Sequence, residues 1–403
     1  MRDAVLGRII RFVAARATNT FGRAAINATV LWELYERTHD TLVLAAVGLV
    51  QVIPVIALFL PSGVIADRVD RRVLATLAAL GTGGVGIGLA VVSALDAPIA
   101  WYFVLLLFQG CVVSLHAPAA AALLANIGPR EELPRANRIL SSASELAQIT
   151  APALAGLALV VVVPSGIYAF VGVTATASAL LYRTLPAIPI PRTHQKLDWK
   201  TGLRFIFRSP RLLPALTLDM FAVLFAGVTA VLPAIATDIL HVGPFGYGLL
   251  RAAQSAGAVT MAIVGGRIAP WKRPGRVLLI VVALFGAATI GVGLSPYTPL
   301  TVVLLYACGA LDNISVVIRL TLEQLAVPDA IRGRVGAVHN VFIGMSNELG
   351  AAESGLAADV LGLVPAIVAG GALSIAVVAL VATRWPALAA MPPLSDIEPE
   401  PFE

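Results

Sequence analysis

Twelve apolar stretches, each about 20 residues long, divide the 403-residue chain, and that is the helix length needed to cross a hydrocarbon core. They lie near 11–35, 41–65, 73–94, 100–124, 137–160, 164–183, 212–237, 245–269, 276–295, 299–322, 334–358 and 363–383. The cations alternate between the connections. Of 28 Lys+Arg, 23 fall at the N-terminus, in alternate connections, or just after the last stretch. Arg37 alone falls in the other set, while Arg16, Arg23, Arg251 and Arg319 lie inside stretches. Such an excess marks the cytoplasmic side, so both termini are expected inside and the number of spans is even. The expected fold class is an all-α membrane protein with twelve transmembrane helices in two pseudo-symmetric six-helix halves, multi-pass in the cell (inner) membrane.

Composition excludes the water-soluble classes. Hydrophobic residues make up 58% and charged residues 13%, against about 45–50% and about 25% in soluble domains. The mean hydropathy is +0.89. The net charge of +5 comes from the cytoplasmic connections, so it speaks for orientation and contact with anionic membrane lipids, not for nucleic acid. Cys111 and Cys308 fall within spans and read as small packing residues. Arg2, Arg8 and Arg11 lead straight into a span containing further Arg, the pattern of a retained first helix rather than a cleaved leader. The five histidines form no metal-ligand spacing, and no Gly-Lys-Ser/Thr phosphate loop occurs. The glycine run 81–88 lies inside a span, where small residues let helices pack. No enzyme, metal or cofactor is expected.

The chain divides at its midpoint. Residues 1–183 and 212–384 form the expected halves, joined by a polar, basic cytoplasmic linker, 184–211, that begins with Pro186, Pro189 and Pro191. Residues 385–403 are acidic and Pro-rich and are expected to form a disordered cytoplasmic tail. The halves repeat at an offset of 199, which pairs Pro129 with Pro328, Arg135 with Arg334, Gly110 with Gly309 and Gly156 with Gly355. A repeat of six spans is the signature of secondary transporters. Spans three, six, nine and twelve carry no charge between their ends, which marks them as lipid-facing supports, because intramembrane charges face a polar interior or one another.

Residues 63–72 read Gly-Val-Ile-Ala-Asp-Arg-Val-Asp-Arg-Arg, between spans two and three on the cytoplasmic side. This resembles motif A of the major facilitator superfamily, G-x-x-x-D-R-x-x-R-R, and with the spans, central linker and repeat the resemblance covers residues 1–385. Within that superfamily the segments at 12–16, 202–212 and 231–240 look like the drug-efflux and enterobactin-exporter branch. The resemblance implies that Gly63, Asp67, Arg68, Arg71 and Arg72 form a gating motif. Asp67 would meet the N-terminal end of span eleven, where free amides and the macrodipole favour an anion, unless the segment is only a solvated basic loop. Asp70 departs from the family, where glycine is frequent, and its role is open. The second-half copy, 266–270, has Pro270 where the Asp belongs, so one latch is expected. Span five carries Ala151-Pro152-Ala153-Leu154-Ala155-Gly156, a weakened version of an antiporter motif that reads equally as an ordinary Pro-kinked packing helix.

Candidate site residues follow from intramembrane polarity. Arg16, Asn19, Thr20, Arg23 and Asn27 form one stripe on span one, and Arg23 near the midplane needs a carboxylate or an anionic ligand. Span five adds Glu145, span seven Asp219, span ten Asp312 and Arg319, and span eleven Glu348 and Glu353. Arg319 and Glu323 are four apart, which suits pairing along one helix. His116 reads as a hydrogen-bonded packing residue. Glu348 is the first choice of proton carrier and Asp312 the second; a fixed buried network among Arg23, Asp312 and Glu348 is the alternative. The reading is a monomeric secondary transporter working by alternating access, with a proton-driven export of a small amphipathic substrate of drug or siderophore type. The rival readings are an importer or lysolipid-type flippase on the same fold, and a transport-inactive receptor or scaffold.

Overall fold

The computed structural model describes residues 2–124, 132–186, 199–265, 271–329 and 331–401, and it is helical with no strands among them. In chain order the helices are α1 (Arg2–Thr38), α2 (Thr41–Arg68), α3 (Arg71–Ala94), α4 (Ala100–Leu124), α5 (Leu133–Ala158), α6 (Pro164–Arg183), α7 (Trp199–Arg208), α8 (Leu212–Ala226), α9 (Leu232–Ala234), α10 (Gly243–Gly265), α11 (Pro274–Leu294), α12 (Thr298–Ala326), α13 (Arg332–Leu361), α14 (Leu363–Arg384) and α15 (Pro386–Ala389). With α8 and α9 counted as one broken span and α7 and α15 set aside, twelve membrane segments result. Six of the helices are apolar and long enough to cross on composition alone, and the bent pair α7–α8 raises that to seven. Helices α1, α5, α10 and α13 carry the polar groups noted above, and only the first part of α4, Ala100–His116, stands among the apolar stretches.

The chain forms two compact units. One comprises Met1–Thr38, Leu49–Gln195 and Tyr247–Ala252; the other His39–Gly48, Lys196–Gly246 and Ala253–Glu403. In the first, α3 lies along α6, and α1 packs on α5 and α6; in the second, α11 lies along α14, and α8 packs on α13 and α14. The outward faces of the charge-free helices are apolar: Leu77 and Val91 on α3, Phe170 and Val173 on α6, Ile280 on α11 and Leu380 on α14 are all exposed, as helices in contact with lipid require.

The repeated glycines occupy matching contacts. A methyl group at Gly110 would lie 3.1 Å from the Gln51 carbonyl oxygen of α2, and one at Gly309 would strike the Gln254 carbonyl of α10. A methyl at Gly156 would lie 2.8 Å from Gly248 Cα of α10, and one at Gly355 2.6 Å from Ala45 N of α2. Only glycine admits backbones this close. The offset of 199 therefore relates equivalent seams, α4 on α2 to α12 on α10, and α5 on α10 to α13 on α2.

Span seven departs from the continuous helix expected over 212–237. Helix α8 stops at Ala226; Gly227 leaves helical geometry, and the chain resumes with the three-residue α9 and a π-turn at Ile235–Ile239. Pro233, which lacks an N–H, stands in the first turn of the new helix, where proline is tolerated. Irregular backbone at membrane depth is stable only when buried in protein, and Val228, Ala230, Val231 and Leu232 are buried. The freed carbonyls find hydroxyls: Thr289 Oγ1 donates to Ala226 O (3.3 Å) and Ser354 Oγ to Gly227 O (3.3 Å).

The linker and the tail also differ from expectation. Part of the linker is the amphipathic α7, which meets α8 at 97° and buries Phe205 and Ile206 while Lys200, Arg204 and Arg208 stay exposed; residues 187–198 lie outside the described residues. The tail, expected to be disordered, is ordered through residue 401. Its Leu388, Met391 and Ile397 join the apolar core of the second unit, and Glu400 N donates to the Ala326 carbonyl at the end of α12 (2.8 Å). Three apolar side chains among acidic and proline residues suffice to hold it, which a mean over its composition hides.

Gly156→Val and Gly355→Val are each expected to destabilise the protein by about 1–3 kcal/mol through overpacking. Gly84→Val, whose added methyl meets nothing within 4 Å, should be near neutral. Thermal unfolding of the purified variants in detergent checks this; equal loss at Gly84 would remove the seam from the explanation.

Candidate functional site

Where α2 ends and α3 begins, the side chains of Gly63, Asp67 and Arg68 lie outside the described residues. Asp70, whose role was open, caps α3: its Oδ1 accepts from Arg72 N at 2.8 Å, placing a carboxylate against the free amides and positive end of the helix. Arg72 Nη1 donates to the Leu185 carbonyl just past the end of α6 (3.0 Å), so a cation meets a helix C-terminus. Arg71 is half-buried at the first position of α3. The second-half copy at 266–270 lies outside the described residues.

The polar stripe of α1 is engaged by neighbouring helices of its own unit. Arg16 Nη1 approaches His116 Nδ1 (3.4 Å), and His116 Nε2 approaches Tyr182 OH (3.1 Å). A guanidinium only donates, so Nδ1 accepts and the ring proton sits on Nε2, donated to the tyrosine. Asn27 Oδ1 accepts from Gln51 Nε2 of α2 at 3.1 Å. Arg23 is partly buried in the same stripe.

Glu33, nearly three turns beyond Arg23 on α1, has the densest polar environment among the described residues, and sequence reasoning missed it. Its side chain is 3% exposed. Oε1 accepts from Arg37 Nη2 (2.7 Å), Ser93 Oγ (2.6 Å) and Tyr102 OH (2.7 Å), and Oε2 from Tyr168 OH (2.8 Å). Arg37 also pairs with Asp96 (2.8 Å) and lies 5.4 Å from the Tyr102 ring centroid. The lone cation that broke the charge alternation is thereby neutralised inside the protein. In the sequence, Glu33, Glu36 and Arg37 look like an interfacial helix end; four donors from α1, α3, α4 and α6 converge only on folding.

The second unit holds two buried acid–base pairs on α12. Arg319 Nη1 forms an ion pair with Asp219 Oδ2 of α8, and its Nε donates to Ser315 O (3.2 Å). Glu323 Oε2 contacts His339 Nδ1 of α13, and both residues are buried. This corrects the expected Arg319–Glu323 pairing: the fold brings Asp219 of α8 to Arg319 and His339 of α13 to Glu323. Asp312, about two turns before Arg319 on α12, is exposed, Glu348 and Glu353 on α13 are partly buried, and Glu145 on α5 is exposed. His339 is the second residue the sequence reading passed over, although it adjoins Asn340 on a helix already singled out.

Similarity to known proteins accords with this architecture. The profile of the Major Facilitator Superfamily matches residues 12–351. The chain is 31% identical over 300 residues to "Enterobactin exporter EntS" of Citrobacter koseri, covering 73% of this chain and 71% of that one. The same figures hold for the protein of that name from Escherichia coli. Among solved structures, a POT family transporter in complex with 5-aminolevulinic acid superposes with a TM-score of 0.75 at 13% identity, covering 94% of this chain and 96% of that chain. A bacterial homolog to the human lysosomal transporter Spinster superposes with 0.69 at 16%, covering 96% and 99%. At these identities the structures speak for the fold.

Asp219→Asn is expected to cost about 3–5 kcal/mol, because it leaves Arg319 buried without its counter-charge. The double variant Asp219→Asn/Arg319→Gln should recover most of that loss. Unfolding midpoints of both check the pair, and additive losses in the double variant would show that the two do not interact. Glu33→Gln should lower stability by a similar amount, since an amide cannot accept from four donors.

Proposed function

Because the chain belongs to the Major Facilitator Superfamily, and is therefore a multi-pass membrane transporter rather than an enzyme, we propose that it exports a small amphipathic compound of drug or siderophore type, driven by protons. The observation that carries the direction and substrate class is the 31% identity to enterobactin exporters over 300 residues. Export by such a protein means exposing one substrate site to each face of the membrane in turn. The reading places the protein as a monomer in the cytoplasmic (inner) membrane with both termini inside.

Three features support this reading. The buried charges of each unit are largely met within that unit, as rigid moving halves require. Arg23, Asn27, Asp312, Glu348 and Glu353 are polar groups at membrane depth, and we assign them to substrate contact. Arg319 and Asp219 serve to hold α12 on α8, with Glu145 a peripheral polar group of α5. The gating role of Gly63, Asp67, Arg68 and Arg71 follows from the motif; Arg72, tied to α6, braces it.

In a bacterial strain that makes enterobactin and lacks its own exporters, expression of this protein should move enterobactin from cells to medium. Unchanged partition, together with energised uptake by intact cells, would reverse the direction. Asp67→Asn should express normally yet lose much of the transport, because a charge–dipole contact at a helix end of roughly 0.3–2 kcal/mol shifts a balance between two conformers by about 2- to 30-fold. Labelling of a single cysteine at position 336 from the cytoplasmic side reads that shift, and unchanged labelling with unchanged transport would remove Asp67 from the gate.

A further inference from the structure

The two acid–base pairs of α12 differ in what they do with a proton. Arg319 keeps its charge at any physiological pH, so Asp219–Arg319 is neutral as a pair and stays so. Glu323–His339 contains the one side chain whose charge ordinarily changes between about pH 5 and 8. His339 Nδ1 faces Glu323 Oε2, while His339 Nε2 is buried and has no hydrogen-bond partner among the described residues. A neutral imidazole donating Nδ1–H to the carboxylate leaves a bare lone pair on Nε2 and a net charge of −1 in a site sheltered from water. One further proton on Nε2 makes an imidazolium–carboxylate pair of net charge zero, and no other bond changes.

We propose that Glu323 and His339 form the proton-binding site of this transporter, taking up one proton per cycle at His339 Nε2. The proposal rests on the proton-driven reading above and names the residues that serve it. The geometry supplies the coupling. A net negative charge is costly in a sealed, low-dielectric site and cheap in a hydrated one, so a conformation that seals the ends of α12 and α13 holds the proton and one that hydrates them releases it. That difference in proton affinity between two states is what links a proton gradient to a conformational change.

The surrounding charges leave this pair as the titrating unit. Arg319, one turn earlier on α12, is committed to Asp219 of α8. At the start of α13, Arg332 pairs with Asp329 at 2.6 Å, and Arg334 is partly exposed. Lys200, Arg204 and Arg208 of α7, Arg276 of α11 and Arg384 of α14 are exposed to solvent. Glu400 of the tail approaches the end of α12 through its backbone N–H, and Glu348 lies more than two turns beyond His339 on α13. Among the described residues, His339 is the only cationic group at ion-pair distance from Glu323.

Purified full-length protein in liposomes, with enterobactin as the probe, tests the assignment. A pH gradient of one unit acting on one proton per cycle supports an about tenfold substrate gradient. His339→Gln and Glu323→Gln are expected to abolish that gradient, to a ratio of about one, while keeping counterflow at equal pH. A His339→Gln protein that still builds the gradient overturns the site and leaves the proton-driven reading standing. A wild-type protein that performs counterflow but ignores the pH gradient sinks both. Should the variants fail to fold, or enterobactin not be carried, ring-labelled histidine NMR of the wild type decides. The His339 Nε2 signal should pass from bare to protonated on acidification, and a signal that stays unchanged from alkaline to acid pH overturns the proposal.

Discussion

A charge withdrawn from water has to be met within a few ångströms, and Glu33 shows what that requirement does to the helices around it. Four donors from four helices converge on one carboxylate. Removing any one of them leaves the carboxylate under-satisfied in a site where an unmet hydrogen bond costs more than in water. The bond set thus pins the ends of α3, α4 and α6 to α1. It also accounts for Arg37, whose charge is met by Glu33 and Asp96.

The backbone obeys the same rule. Where α8 breaks at Gly227, the chain does not expose its carbonyls to lipid; Thr289 and Ser354 take them up, and the irregular segment is wrapped in apolar side chains. A break of this kind in a membrane segment is therefore a feature supported from two other helices, α11 and α13. It gives the second unit a non-helical stretch that its counterpart α1, a continuous 37-residue helix, does not have.

The pairs on α12 divide labour by chemistry. Guanidinium and carboxylate join α12 to α8, while imidazole and carboxylate join α12 to α13. Both are buried, and both sit toward the same end of one helix.

Much of the fold was legible without coordinates. Twelve apolar lengths, the alternation of cations and the offset of 199 depend on the thickness of the bilayer, on topology and on internal duplication, all of which write themselves into a linear pattern. The paired glycines at 110 and 309, and at 156 and 355, were visible for the same reason, and the structure added only what each touches. What the pattern could not contain was which side chains meet. Arg319 with Glu323 satisfies helical spacing, yet the packing of α8 and α13 on α12 gives Arg319 to Asp219 and Glu323 to His339. The ordering of the tail by Leu388, Met391 and Ile397, the capping role of Asp70, and the convergence on Glu33 were likewise decided by tertiary structure. Local sequence determines how far each segment can reach through a membrane; only the packed helices determine which polar groups come within bonding distance once water is gone.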